Sequence, residues 1–185
     1  MKIGFLSRRG PALPFSSSAL LLCASLLLTF AASADNSPPL KLALFDFELE
    51  YFSAGGSVLA GNPADSEKLQ RVTDEARRLI AESGRYSLID VSSTDAGPVK
   101  AHALRNCDGC DAPIASKLGA EQSFVGIVTR ISRTEYTVRF QIRDARTGAV
   151  IFNKVTDLRM GADYSWDRGA AWLIKNRLLA SQDQK

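Results

Sequence analysis

Histidine is almost missing from this chain: His102 is the only one in 185 residues. A hydrolytic triad would have to be built on His102, within an irregular stretch, and no Gly-x-Ser-x-Gly elbow accompanies it. Neither G-x-x-x-x-G-K-[ST] nor G-x-G-x-x-G occurs, so the usual phosphate cradles are absent. Cysteine is scarce too, with Cys23 in an N-terminal apolar run and Cys107 and Cys110 farther on. Covalent haem is excluded at that pair, because Asp111 stands where C-x-x-C-H needs histidine. The one extended apolar run, Ala19–Phe30, falls short of the roughly 20 residues that span a bilayer. A surplus of one charge is missing as well. The net of +3 is carried by Lys2, Arg8 and Arg9, and residues 35–185 balance 20 acidic residues with as many basic ones. Nothing in that balance suggests nucleic acid or an anionic lipid surface as a partner. These absences point away from an enzyme: no catalytic constellation is recognisable.

What is present begins with an export signal over residues 1–34. Lys2, Arg8 and Arg9 supply the basic region, Ala19–Phe30 the apolar one, and Ala32-Ser33-Ala34 an A-x-A site with cleavage before Asp35. Cys23 follows Leu22, where a lipoprotein site would want a small residue, so it is expected to be discarded with the signal. The expectation is a soluble periplasmic or secreted protein with no stable membrane anchor after cleavage. Residues 35–39 read as a polar lead, and 40–185 as a single domain large enough for a real core.

The pattern along that domain predicts an α/β fold. Leu40–Glu50 reads as a strand. Pro63 to Ser83 reads as a helix, with Asn62 as cap, Gly84 as stop, and Leu69, Val72, Ala76, Leu79 and Ile80 on one face. Tyr86–Ser92 is a second strand, parallel to the first through a right-handed crossover. An irregular stretch follows, with a short helix at Val99–Arg105 and a brief one that Asp111 caps and Gly119 ends. Gln122–Ser132 and Glu135–Arg146 are the next strands. In the latter Tyr136, Val138, Phe140 and Ile142 alternate with polar residues, the mark of a sheet wet on one side. A turn through Gly148 leads to Val150–Leu158, and a closing helix turns Trp166, Gly169, Leu173, Ile174 and Leu178 inward. The prediction is one mixed sheet, a βαβ start followed by an antiparallel meander, with helices packed on one face and a C-terminal helix.

The runs FDFELE, LQRVTDEARRLIAESGRYSLIDV, CDGCDAPIASKLGA, FVGIVTRIS, RDARTGAV and SWDRGAAWLIKNRLL resemble a family of secreted bacterial proteins with no assigned activity. The same order of elements is similar, more distantly, to the amino-terminal domain of TolB and the curli-secretion lipoprotein domain. That resemblance implies a periplasmic interaction module rather than an enzyme. The first family also implies an association with quinoprotein alcohol dehydrogenases and their transport systems.

Three groups of residues are candidates for a site. Cys107 and Cys110 would pair in an oxidising compartment, and a ring so small limits the loop-entropy gain to about 2 kcal/mol. Thiol exchange is the competing reading of that pair; zinc held by His102, Cys107 and Cys110 is another, although the spacing matches no standard zinc module. Asp46, Glu48 and Glu50 alternate along the first strand and would share one face near its carboxyl end, where a divalent or other hard cation could bind. Set against this, the acids simply meet water, or pair with neighbouring arginines. Arg130, Arg133, Arg139 and Arg143 would line the wet sheet face as a docking patch for a protein partner, or be an ordinary solvated face. The leading expectation is a soluble periplasmic, non-enzymatic interaction module in an accessory or assembly role. A metal-binding accessory of a quinoprotein dehydrogenase or metal-uptake system comes second, and a thiol–disulfide redox protein third.

Overall fold

The apolar run beginning at Leu40 forms two strands, β1 (Leu40–Leu44) and β2 (Glu48–Tyr51), where the pattern predicts one. The interruption lies at Phe45–Phe47. Phe45 is buried on one face of the sheet with Ala43, whereas Phe47 is buried on the other with Leu42 and Leu44. A continuous strand would put residues two apart on the same face, so the break inverts the alternation. Two contacts hold Phe47 in place. Its amide donates to Thr73 Oγ1 on the following helix at 2.9 Å. Its ring lies over Gly126, where an added Cβ would meet ring carbons at 2.4 Å. These observations come from a computed structural model that describes residues 38–52, 63–132, 134–157, 159–160 and 165–180, all within the compact unit Ser37–Lys185. The proposed signal and the cap at Asn62 lie outside the described residues.

Helix α1 (Pro63–Glu82) buries Val72, Ala76, Leu79 and Ile80 on one stripe, as the spacing predicts. It leads to β3 (Tyr86–Ile89), which pairs in parallel with β1. Then come α2 (Gly97–Lys100), a 3₁₀ turn at Leu104–Asn106, and α3 (Asp111–Lys117). Strand β4 (Gln122–Arg130) runs parallel to β1 and β2 and antiparallel to β5 (Glu135–Asp144). β6 (Val150–Val155) and the two-residue β7 (Arg159–Met160) both pair antiparallel with β5. The sheet order is β3-β1-β4-β5-β6, with β2 beside β4 and β7 beside β5. Helix α4 (Trp166–Leu173) closes the described fold, its last turns widening to a π-helix over Ile174–Leu179. No described helix is long and apolar enough to cross a membrane.

One face of the sheet carries the main core. Leu42, Leu44, Phe47, Phe124, Phe140 and Ile142 meet α1 and α4 there, and Trp166, Leu173, Ile174 and Leu178 all point inward as expected. Phe47 in the break and Phe124, Phe140 and Phe152 on β4, β5 and β6 follow one another at centroid spacings of 5.9, 5.0 and 5.7 Å. Each such ring pair adds about 0.5–1.5 kcal/mol beyond area burial. A smaller cluster lies on the opposite face, where Ala43, Phe45, Val125 and Ile127 meet Leu104 and Ala115 from the short helical segment. That segment covers only part of the second face, on which Thr137, Arg139, Gln141 and Arg143 of β5 remain half-buried.

Candidate functional site

Once the alternation is inverted at Phe45–Phe47, Glu48 and Glu50 face the side that the short helical segment partly covers. Glu48 is 2% exposed. Its carboxylate accepts from the amides of Leu104 (2.7 Å) and Arg105 (3.1 Å) and from Arg105 Nη1 (2.8 Å). It thus takes up the orphan donors that begin the 3₁₀ turn and neutralises the only charged side chain in that turn. Arg105 Nη1 also donates to the His102 carbonyl. A second buried carboxylate, Asp111, fixes the other end. It is the first residue of α3 rather than its cap; its oxygens accept from Ser123 Oγ on β4 and lie 3.6 Å from Arg143 Nε on β5. Asp111 is drawn inward because β4 and β5 present a hydroxyl and a guanidinium there, a demand local sequence does not announce.

Between these anchors Cys107 and Cys110 are joined in a disulfide. Asp108 and Gly109 between them have φ of 45° and 97°. Gly109 lies so close to the Arg143 guanidinium that a Cβ would meet its Cζ at 3.3 Å, so glycine answers both a backbone and a packing need. Beneath this loop is a depression of about 200 Å³, with Arg105, Gly109, Arg139, Gln141, Arg143 and Asn153 among its walls. Arg143 Nη1 donates to the Gly148 carbonyl at 3.0 Å, tying the depression to the β5–β6 turn. That turn is held by Asp144, whose Oδ1 accepts from the amides of Arg146 and Thr147, and whose carboxyl lies below its ordinary pKa chiefly through the Thr147 amide. Arg139 engages Glu50 through one long contact of 3.4 Å.

The three strand acids are not brought together. Asp46, in the break, pairs with Arg77 of α1 at 2.8 Å; Glu48 holds Arg105; Glu50 takes Thr129 Oγ1 at 2.9 Å and Arg139. Each acid meets a different arginine, and among the described residues no three His, Cys, Asp or Glu side chains gather as a metal-binding group. The expected arginine stripe also needs correction. Arg139 and Arg143 lie on the partly open face, and Arg133 is outside the described residues. Arg130 lies on the other face, 6% exposed, in a two-point ion pair with Asp65 of α1 at 2.8 and 2.9 Å. Its Cζ sits 4.8 Å from the Trp166 ring centroid and 5.7 Å from that of Tyr51. Parity explains the placement: Arg130 is opposite Tyr136 in the β4–β5 register and follows Phe124 and Val128 at even spacing, all core residues. The signal was legible in that alternation. Arg105 was not, because nothing near it in sequence identifies Glu48 as its partner.

The chain belongs to a family described as a protein of unknown function, DUF3280 (DUF2380), whose model matches residues 40–178. No curated protein matches it. Among solved structures, the LpoB C-terminal domain from Salmonella enterica is similar at 13% identity and a TM-score of 0.45, over 65% of this chain and 82% of that one. Lipoprotein GNA1162 from Neisseria meningitidis gives 14% and 0.44, over 80% and 99%. TolB from Acinetobacter baumannii gives 14% and 0.44, over 77% of this chain and 29% of TolB. Both the unknown-function family and the TolB likeness read from the sequence recur here.

Proposed function

We propose that this family member is a periplasmic, non-enzymatic protein-binding module that docks a partner on the open sheet face around the Cys107–Cys110 loop. One observation carries the reading: an irregular loop is fixed over a depression by two buried carboxylates and a disulfide. Rigid presentation of a loop reduces the ordering cost of association. The depression's charges are already balanced, with Arg105, Arg139 and Arg143 each beside an acid. Such a mixed surface selects a partner by register and hydrogen bonding more than by net charge. Arg139, whose side chain is 41% exposed, has donors beyond its long contact to Glu50 to offer a partner's carboxylate or carbonyl. The signal-like residues 1–34 support a periplasmic site of action.

The test is photocrosslinking in cells from a reactive residue at Gln141 or Asn153, with Glu82 on α1 as control position. A discrete adduct from 141 and 153, absent from 82 and lost in Arg139→Glu, is the expected result. Equal capture from position 82, or capture indifferent to Arg139→Glu, would remove the docking face from consideration. Cell fractionation checks the compartment.

A further inference from the structure

Adjacent parallel strands β1 and β3 send the chain to opposite faces. From β1 it passes through β2 to α1 on the main-core side, and from β3 to the short helical segment on the other. Among the described residues α1 and the short helical segment therefore flank the carboxyl ends of β1 and β3 from opposite faces, and a crevice lies at that edge. The crevice is a cavity of about 580 Å³, within the range of small-molecule sites (roughly 300–1,000 Å³). Leu44, Leu88 and Val99 give it apolar lining. Asp46 and Arg77 reach it from the strand break and α1, Asp90 from the end of β3, and Lys100 and His102 from α2 and the turn after it.

These polar groups are not locked away in the core. Asp46 is half-exposed beside Arg77, and Asp90 is an exposed carboxylate oriented by the Ser92 amide at 2.8 Å. Among the described residues Lys100 pairs with Asp95, whose side chain is 91% exposed, a pairing worth little and readily exchanged for a ligand. His102 is a non-glycine residue at φ 47°, where its amide donates to the Val99 carbonyl and the Ala103 amide to the Pro98 carbonyl. Backbone held in that region is strained and collects at ligand clamps. With two carboxylates, an arginine and a lysine on one lining, a ligand of a single charge meets its own sign as well as its complement. A molecule carrying both charges on an apolar body complements both signs and the apolar lining.

We propose that the switch-point crevice binds a small zwitterionic molecule of the amino-acid class. Its carboxylate faces Lys100 and His102, its ammonium faces Asp46 and Asp90, and its side chain lies on Leu44, Leu88 and Val99. The site is separate from the docking face, since neither Arg139 nor Arg143 lines it.

The experiment is a chemical-shift titration of the intact protein with L-leucine and L-phenylalanine, and with two single-charge analogues of leucine, isoamylamine and 4-methylpentanoate. Binding by at least one amino acid should move the amides of residues 88–92 and 99–103, and each analogue of leucine should bind roughly tenfold more weakly, as loss of one charged contact implies. Lys100→Ala and Asp90→Asn, both at exposed positions, should weaken amino-acid binding without changing the unfolding midpoint. No shift with either amino acid, shifts confined to other residues, or analogues that bind as well as leucine would each overturn the assignment. Arg139→Glu should leave the titration unchanged, so failure here and failure of the docking face are told apart.

Discussion

Asp65→Asn removes one charge from the most enclosed ionic cluster in the described fold. Asp65 is 4% exposed and Arg130 6%, and the two share a two-point ion pair; Lys68 adds a third contact at 3.1 Å. Trp166 and Tyr51 flank the guanidinium. Neutralising Asp65 strands a cation with low-dielectric neighbours, a loss of about 3–5 kcal/mol for buried pairs against about 0–1 kcal/mol for exposed ones. Arg130→Met should cost less, because Lys68 still faces the carboxylate and methionine fills space beside Trp166. The double variant should be more stable than the two single losses summed, since each single change removes the same two-point pair and leaves its remaining partner with less compensation. Burial alone would raise the Asp65 pKa, but the hydrogen bonds and charges of Arg130 and Lys68 outweigh it, and the carboxyl lies below its ordinary value. A depressed folded-state pKa contributes stability that is full above the unfolded value of about 3.9 and is lost as pH falls through the folded one. Urea denaturation at pH 7 and at a series of pH values below 4 measures both effects. A cost for Asp65→Asn of about 1 kcal/mol or less, or strictly additive single losses, would refute the reasoning, placing the pair among surface ion pairs.

Three further perturbations follow from the same geometry. Gly126→Ala drives a methyl into the Phe47 ring and should cost about 1–3 kcal/mol, partly recovered in combination with Phe47→Leu; thermal unfolding of the three variants checks it. Glu48→Ala leaves the buried Leu104 amide without its acceptor and should cost about 1–3 kcal/mol, with hydrogen exchange accelerated at Leu104 and Arg105 rather than across the sheet. Paired Cys107→Ser and Cys110→Ser changes should lower stability by about 2 kcal/mol, set by the small loop closed. Exchange should rise locally over residues 104–110, and a loss much above that figure would mean the loop supports the core rather than resting on it.

The alternation in Glu135–Arg146 and the three- and four-residue spacing in α1 were legible because burial of one face is written into period. They determined the strands, the long helix, its buried stripe, and the mixed α/β sheet. The inward set of the closing helix, Trp166 through Leu178, was legible for the same reason. Period fails where backbone departs from it. The break at Phe45–Phe47 depends on Thr73 and Gly126, 26 and 79 residues from Phe47, and it redirected all three acids that a continuous strand would have aligned. Arg130 was assigned to the wet face as a charged residue on a strand, although its parity with Phe124 and Val128 placed it in the core; Asp65 made that burial tolerable. Asp111 looked like a cap because capping is a local act, yet it serves Ser123 and Arg143. The sequence by itself determined which stretches alternate, curl and turn, since those are set by neighbours a few residues away. Only tertiary structure decided which charge meets which, because an ion pair costs desolvation at both partners and forms where the fold, not the chain order, brings them together.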